Sequence, residues 1–132
     1  MQIIERSLSS KSDGMAGYLV YPERTDPGPG LLMIHPKSGI TDYIKIEARK
    51  FAQLGYSTFA VNVFELLGYP AATHIETGSQ IQAKTSDAEF THVLTQSWRY
   101  LLSQPHVNPQ KVAVCGYCMG GRIAIHFIAA TP

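Results

Sequence analysis

The sequence has little net charge, few cysteines and no long apolar run, and each shortage removes a class of protein. Eleven Lys and Arg against ten Asp and Glu leave a formal net charge of +1. Sequence-independent affinity for nucleic acid or for an anionic membrane needs clustered basic side chains, so neither partner is expected. No stretch approaches the roughly 18 consecutive apolar residues of a membrane span. The opening residues mix Glu5 and Arg6 among isolated apolar side chains and lack the apolar core of a secretory signal, so a cytoplasmic chain is expected. The two cysteines, Cys115 and Cys118, are three positions apart and cannot staple a long loop. The disulfide framework of a small secreted domain is thereby excluded.

What is present has the balance of a globular domain: 132 residues, 45% apolar and 16% charged, with one core expected over residues 1–132. Gly17–Tyr21 and Gly30–His35 read as strands separated by the Pro/Gly-rich turn at 26–30. The apolar run Leu31-Leu32-Met33-Ile34 has the pattern of a strand buried on both faces. Thr41 or Asp42 can cap a helix that places Ile44, Ala48, Phe51 and Ala52 on one face and stops at Gly55. Ser57–Val63 reads as a second buried strand, and residues 64–83, with Gly68, Pro70 and Gly78, as an irregular excursion over the strand ends. Ser86 and Glu89 have capping-box spacing and open a helix with Val93, Leu94, Trp98, Leu101 and Leu102 on one face, ended by Gln104-Pro105. Trp98 is assigned to the core. Val112–Gly116 is a third buried strand, and Ile123, Ala124, Phe127 and Ile128 form the last helical stripe. Strands alternating with helices predict an α/β fold with a mostly parallel sheet.

The sharpest chemical feature is Gly116-Tyr117-Cys118-Met119-Gly120-Gly121, a nucleophilic side chain between glycines where a strand turns into a helix. This is a nucleophile elbow with Cys in place of Ser. Side chains larger than Gly at 116 or 120 would crowd the neighbouring strand or helix. A thiol at a helix N-terminus is favoured as the reactive thiolate, and the unpaired N–H groups there can hold a tetrahedral oxyanion. One oxyanion donor is expected from the Met119 amide. The other is expected from the loop after Ile34, where Pro36 has no N–H and Lys37 is the candidate.

The pattern resembles the dienelactone hydrolase family over roughly residues 15–130. The resemblance rests on His35 with Gly39 after the first buried strand and Gly55-Tyr56 before the second. It continues through Gln104-Pro105, Val107, Pro109 and Lys111-Val112 into the elbow and Gly121. It implies a partial α/β-hydrolase fold with its C-terminal strands and helices missing. The implied reaction is hydrolysis of a small ester or lactone through Cys118, without metal or organic cofactor. The family's triad runs nucleophile, acid, histidine in chain order, so its Asp and His are expected beyond Pro132. An acidic residue that the family often places after His35 is replaced by Pro36, and Asn62 stands where many relatives carry Asp.

Other candidates are weaker. His35 ends a strand on the same sheet edge as Cys118 and could face the substrate or act as base, as Glu65 and the Lys37 side chain could contact it. His126 lies about 12 Å from Cys118 along the last helix, too far for a hydrogen bond. His74, His92 and His106 read as solvated or hydrogen-bonded surface groups. The Cys115-x-x-Cys118 spacing is also that of a redox pair or half a zinc site, but no second ligand pair exists and Cys115 falls inside a strand. In the family's strand order the Val112–Gly116 strand pairs on its far side with a strand not found in this sequence. A homo-oligomer or a complementing chain is expected at that edge, and a non-catalytic α/β binding or subunit module is the alternative function.

Overall fold

The computed structural model describes residues 2–70 and 74–130. Along the chain run β1 (Ile3–Leu8), α1 (Ser10–Asp13), β2 (Gly17–Pro22), β3 (Gly28–Ile34), α2 (Asp42–Gln53) and β4 (Ser57–Val61). They are followed by α3 (Val63–Leu66), α4 (Ile75–Lys84), α5 (Asp87–Leu102), β5 (Val107–Gly116) and α6 (Met119–Ala130). The strands form one mixed sheet in the order β1-β2-β4-β3-β5. β3 is parallel to both β4 and β5, whereas β2 is antiparallel to β4 and to β1. The α/β class expected from the sequence is the one observed.

Alternation along the central strands divides the core in two. Leu32 and Ile34 of β3 with Phe59 and Val61 of β4 face α5 and α6, against Val93, Leu94, Leu101, Ile123 and Phe127. Leu31, Met33 and Ala60 face the other way, onto Ile44, Ala48 and Ala52 of α2. Both faces of β3 and β4 are therefore dry, which is why Leu31–Ile34 of β3 reads as a continuous apolar run, while β4 also buries the polar Ser57 and Thr58. Trp98 is half-buried against the first cluster, with its ring 6.1 Å from that of Phe127.

Several elements depart from the sequence expectation. β1 pairs along its whole length with β2 despite a largely exposed side-chain pattern, because backbone hydrogen bonds to a neighbouring strand do not require an apolar stripe. β3 begins at Gly28, so Pro29 belongs to a strand. It is tolerated because the β3–β5 register shifts between Gly28 and Gly30, leaving the missing N–H outside the ladder. β4 stops at Val61, and Asn62 caps α3 by accepting a hydrogen bond from the Glu65 amide at 3.2 Å. The expected irregular excursion contains two helices, α3 and α4, while residues 71–73 of it lie outside the described residues.

The third strand is the clearest correction. β5 is ten residues long and only Val107 in it is buried, because β5 is the last strand of the sheet and has a neighbour on one side alone among the described residues. Ile128, expected on the buried stripe of α6, is exposed together with Ile125. No described helix is long and apolar enough to cross a membrane.

The helix starts follow the sequence more closely. Thr41 occupies the N-cap of α2 without a side-chain bond, whereas Ser86 and Glu89 form a full capping box on α5. Ser86→Ala should destabilise the fold by about 1 kcal/mol, read as a lower urea midpoint with an unchanged slope.

Candidate active site

Parallel pairing of β3 with β5 sets Ile34 opposite Gly116, so the two strands end side by side and their loops emerge together. The turn from β5 to α6 is made by Tyr117 and Cys118 alone. Cys118 has φ 54, the single positive φ of a non-glycine among the described residues. A left-handed conformation costs an L-residue on the order of 1–2 kcal/mol, and it persists where surrounding contacts fix it. Here the Tyr117 amide donates to the Ile34 carbonyl at 3.0 Å, and the Gly120 amide to the Tyr117 carbonyl at 2.9 Å. The Gly121 amide donates to the Cys118 carbonyl at 3.0 Å.

Two glycines make those contacts possible. A Cβ at Gly116 would collide with the Gly120 carbonyl, and one at Gly120 would collide with the carbonyls of Ile34 and His35 at the end of β3. At Gly121 a Cβ would lie 3.4 Å from the Gly116 oxygen, ordinary contact, so the third glycine of the motif has no such steric need.

The Cys118 thiol is exposed, in a cleft of about 590 Å³ lined by Pro36, Lys37, Ser38, Ile75, Gln82, Met119 and Arg122. Met119 and Lys37, whose amides are the two expected oxyanion donors, thus line the same cleft. Neither amide has a hydrogen-bond acceptor among the described residues. The Pro36 carbonyl, in the same peptide unit as the Lys37 N–H, faces His35 Nδ1 at 2.7 Å and accepts from the Gly39 amide at 3.0 Å. In a trans peptide the N–H points opposite to the C=O, so the Lys37 amide is turned away from both groups.

His35 does not face the cleft. It is fully buried, its ring tilted against Phe64 at 4.7 Å, and its Nε2 accepts the Val63 amide at 3.1 Å. That bond fixes the tautomer with hydrogen on Nδ1, which donates to Pro36 O. Both nitrogens are occupied, so the place suggested for His35 beside the substrate gives way to a structural link between α3 and the loop after β3. Burial pushes its pKa down to about 4, against the bonds to backbone that oppose the shift.

Glu65 also lies elsewhere. Its carboxylate accepts the Ser10 amide at 2.7 Å and borders a separate cavity with Ser9, Ser10, Lys11, Gly68, Tyr69 and Pro70. His126 is exposed on α6, and His106 is half-buried, bonded to Ser57 Oγ at 2.8 Å and stacked on Tyr21. Cys115 is half-buried on the α2 side of the sheet, and burial with the nearby Glu47 carboxylate pushes its thiol up to about 11.

Ile75, Gln82 and Arg122 are cleft residues the sequence analysis did not single out. Arg122 was legible, being one helical turn past Cys118. Its guanidinium pairs with Asp87 at 3.3 Å, both side chains half-exposed, a geometry worth little in stability. Ile75 and Gln82 were not legible, because they reach the cleft through α4.

The sheet is mixed rather than mostly parallel, because β2 runs antiparallel to β4 and to β1; with helices on both faces and a cysteine at a left-handed strand-to-helix turn after a parallel strand, it defines an α/β-hydrolase-type fold. The comparisons make this more particular: the dienelactone hydrolase family model matches residues 15–132, and the chain belongs to that family. It is 29% identical over 124 residues to a "Putative carboxymethylenebutenolidase" of Synechocystis sp., covering 89% of this chain and 50% of that one. A protein of the same name from Methylorubrum extorquens is 26% identical over 117 residues, covering 87% of this chain and 40% of that one. The chain thus spans about half the length of the curated relatives it matches. Among solved structures, one titled "Putative Dienelactone Hydrolase" from Klebsiella pneumoniae superposes with TM-score 0.84 at 23% identity, covering 100% of this chain and 57% of that one. A dienelactone hydrolase-like promiscuous phosphotriesterase from metagenomic libraries gives TM-score 0.78 at 23% identity, covering 96% and 54%.

Two expectations follow. Iodoacetamide at pH 8 should modify one thiol per chain, seen by intact mass, and Cys118→Ala should abolish the modification while Cys115 stays protected. Acid should weaken the fold through His35. Its folded pKa lies below the unfolded 6.5, so the unfolded chain binds the extra proton between about 6.5 and about 4, and stability drains as pH falls through that window. The loss is on the order of 3 kcal/mol at most. His106, also lowered to about 4 by burial beside Arg6 and Arg24, acts in the same direction. Urea midpoints at pH 7 and pH 4.5 should differ less in His35→Gln than in the unmodified chain.

Proposed function

We propose that this chain supplies the nucleophile of a hydrolase acting on a carboxylic ester or lactone. The observation that carries the reading is Cys118, exposed at the N-terminus of the twelve-residue α6, in a cleft it shares with Met119 and Lys37, whose amides have no acceptor among the described residues. The relatives' shared name refers to a carboxymethylene-substituted butenolide, which is a lactone, and this supports the substrate class.

Sulfur attacks the carbonyl carbon, the C–S bond forms and the C=O π pair moves to oxygen, where the Met119 and Lys37 amides hold the charge. Collapse of this adduct breaks the bond to the leaving oxygen, which takes up a proton, and leaves a thioester on Cys118. Water then attacks the thioester, releasing the acid and restoring the thiol. That second step needs a base near the water. His35 is closed off by its two hydrogen bonds, and His126 is about 12 Å along α6 from the thiol. The family's order, an Asp and a His following the nucleophile, supports a base supplied from a segment or chain beyond this site.

A second reading rests on the open edge of β5 and the exposed Ile125 and Ile128 of α6: a binding module that completes its sheet with a second copy or another polypeptide.

A chromogenic aryl ester added to the purified chain, beside Cys118→Ala, with sedimentation to fix the oligomeric state, separates these readings. The expected result is a burst of about one equivalent per chain that the variant lacks, followed by slow turnover. Sustained Cys118-dependent turnover would place the base within this chain or across a dimer. No burst would favour the binding module.

A further inference from the structure

Gly78 is the fourth residue of α4, and a glycine inside a helix costs about 1 kcal/mol relative to alanine. The helix is lightly held, with Gly78 and Ile81 as its buried residues. At Gly78 the backbone of α4 lies directly on Lys37: a Cβ there would collide with the Lys37 carbonyl oxygen and stand 2.6 Å from its carbon and 2.9 Å from its Cα. The glycine is needed for this approach and not for its own backbone angles, since it adopts ordinary helical geometry.

The Lys37 N–H is thus bracketed. The carbonyl before it is fixed by His35 and the Gly39 amide, and the carbonyl after it is pressed by α4. Ile75 and Gln82, on either side of Gly78 in the same helix, line the cleft that holds Cys118. We propose that Gly78 is a positioning residue: by seating α4 on the Lys37 carbonyl it aims the Lys37 amide at the oxyanion formed on Cys118. The helix that lines the substrate cleft then also sets the oxyanion donor. This rests on the esterase reading above for its chemistry, and on geometry alone for the position of the amide.

Three measurements on the full chain test it. Gly78→Ala should slow acylation of Cys118 by the aryl ester about tenfold or more, short of the roughly 10²–10³-fold that loss of an oxyanion donor costs. Its rate of alkylation by iodoacetamide, a displacement that builds no oxyanion, should stay unchanged. Thr77→Ala, on the exposed side of α4, should leave both rates unchanged. Equal ester and alkylation effects, or no ester effect, would overturn the proposal. The third measurement needs no reactive ester: in ¹H–¹⁵N spectra of the folded variant, the Lys37 amide should shift and exchange at a different rate. If the unmodified chain gives no burst, the esterase reading fails by itself, and an unmoved Lys37 amide in Gly78→Ala would still overturn the positioning role.

Discussion

The site depends on one backbone constraint, the left-handed turn at Cys118 packed against the end of β3. The turn is affordable only because Gly116 and Gly120 let strand, helix and the Ile34–His35 carbonyls approach one another without side chains between them. The parallel register of β3 and β5 brings that turn beside the loop carrying Lys37, so Cys118, Met119 and Lys37 line one cleft without any residue reaching far from its strand. Ligands gather at the carboxyl ends of strands in open α/β sheets for this reason.

Behind the cleft, polar groups are used for fixing rather than for reacting. His35 receives the Val63 amide and binds Pro36 O, Asn62 caps α3, and the Glu65 carboxylate holds Ser10. A buried neutral imidazole with both nitrogens engaged is a rigid spacer between α3 and the loop after β3. Its low pKa follows from the same burial that removes it from the cleft.

The other consequence of the topology is at the sheet margin. β5 contributes Val112 and Val114 to one core cluster and Cys115 to the other, yet most of it stays accessible. A strand that joins Cys118 to the sheet and has one neighbour among the described residues is the place where a further strand could add backbone hydrogen bonds.

The elbow, the buried run of β3 and the capping box of α5 were legible in the sequence because each is local: a glycine spacing, an unbroken apolar stretch, a serine three residues before a glutamate. β1 was not, since its order comes from pairing with β2. α4 was not, since a helix with a glycine in its first turns and two buried residues is held by what it touches. His35 shows the limit most directly: its place at the end of a strand was readable, but the direction of its ring depends on the Val63 amide, 28 residues further along the chain. The sequence by itself determined which thiol stands at a strand-to-helix turn, because that turn needs only neighbouring residues. The tertiary structure alone decided which amides, helix and side chains surround it, because those contacts join segments that the chain keeps far apart.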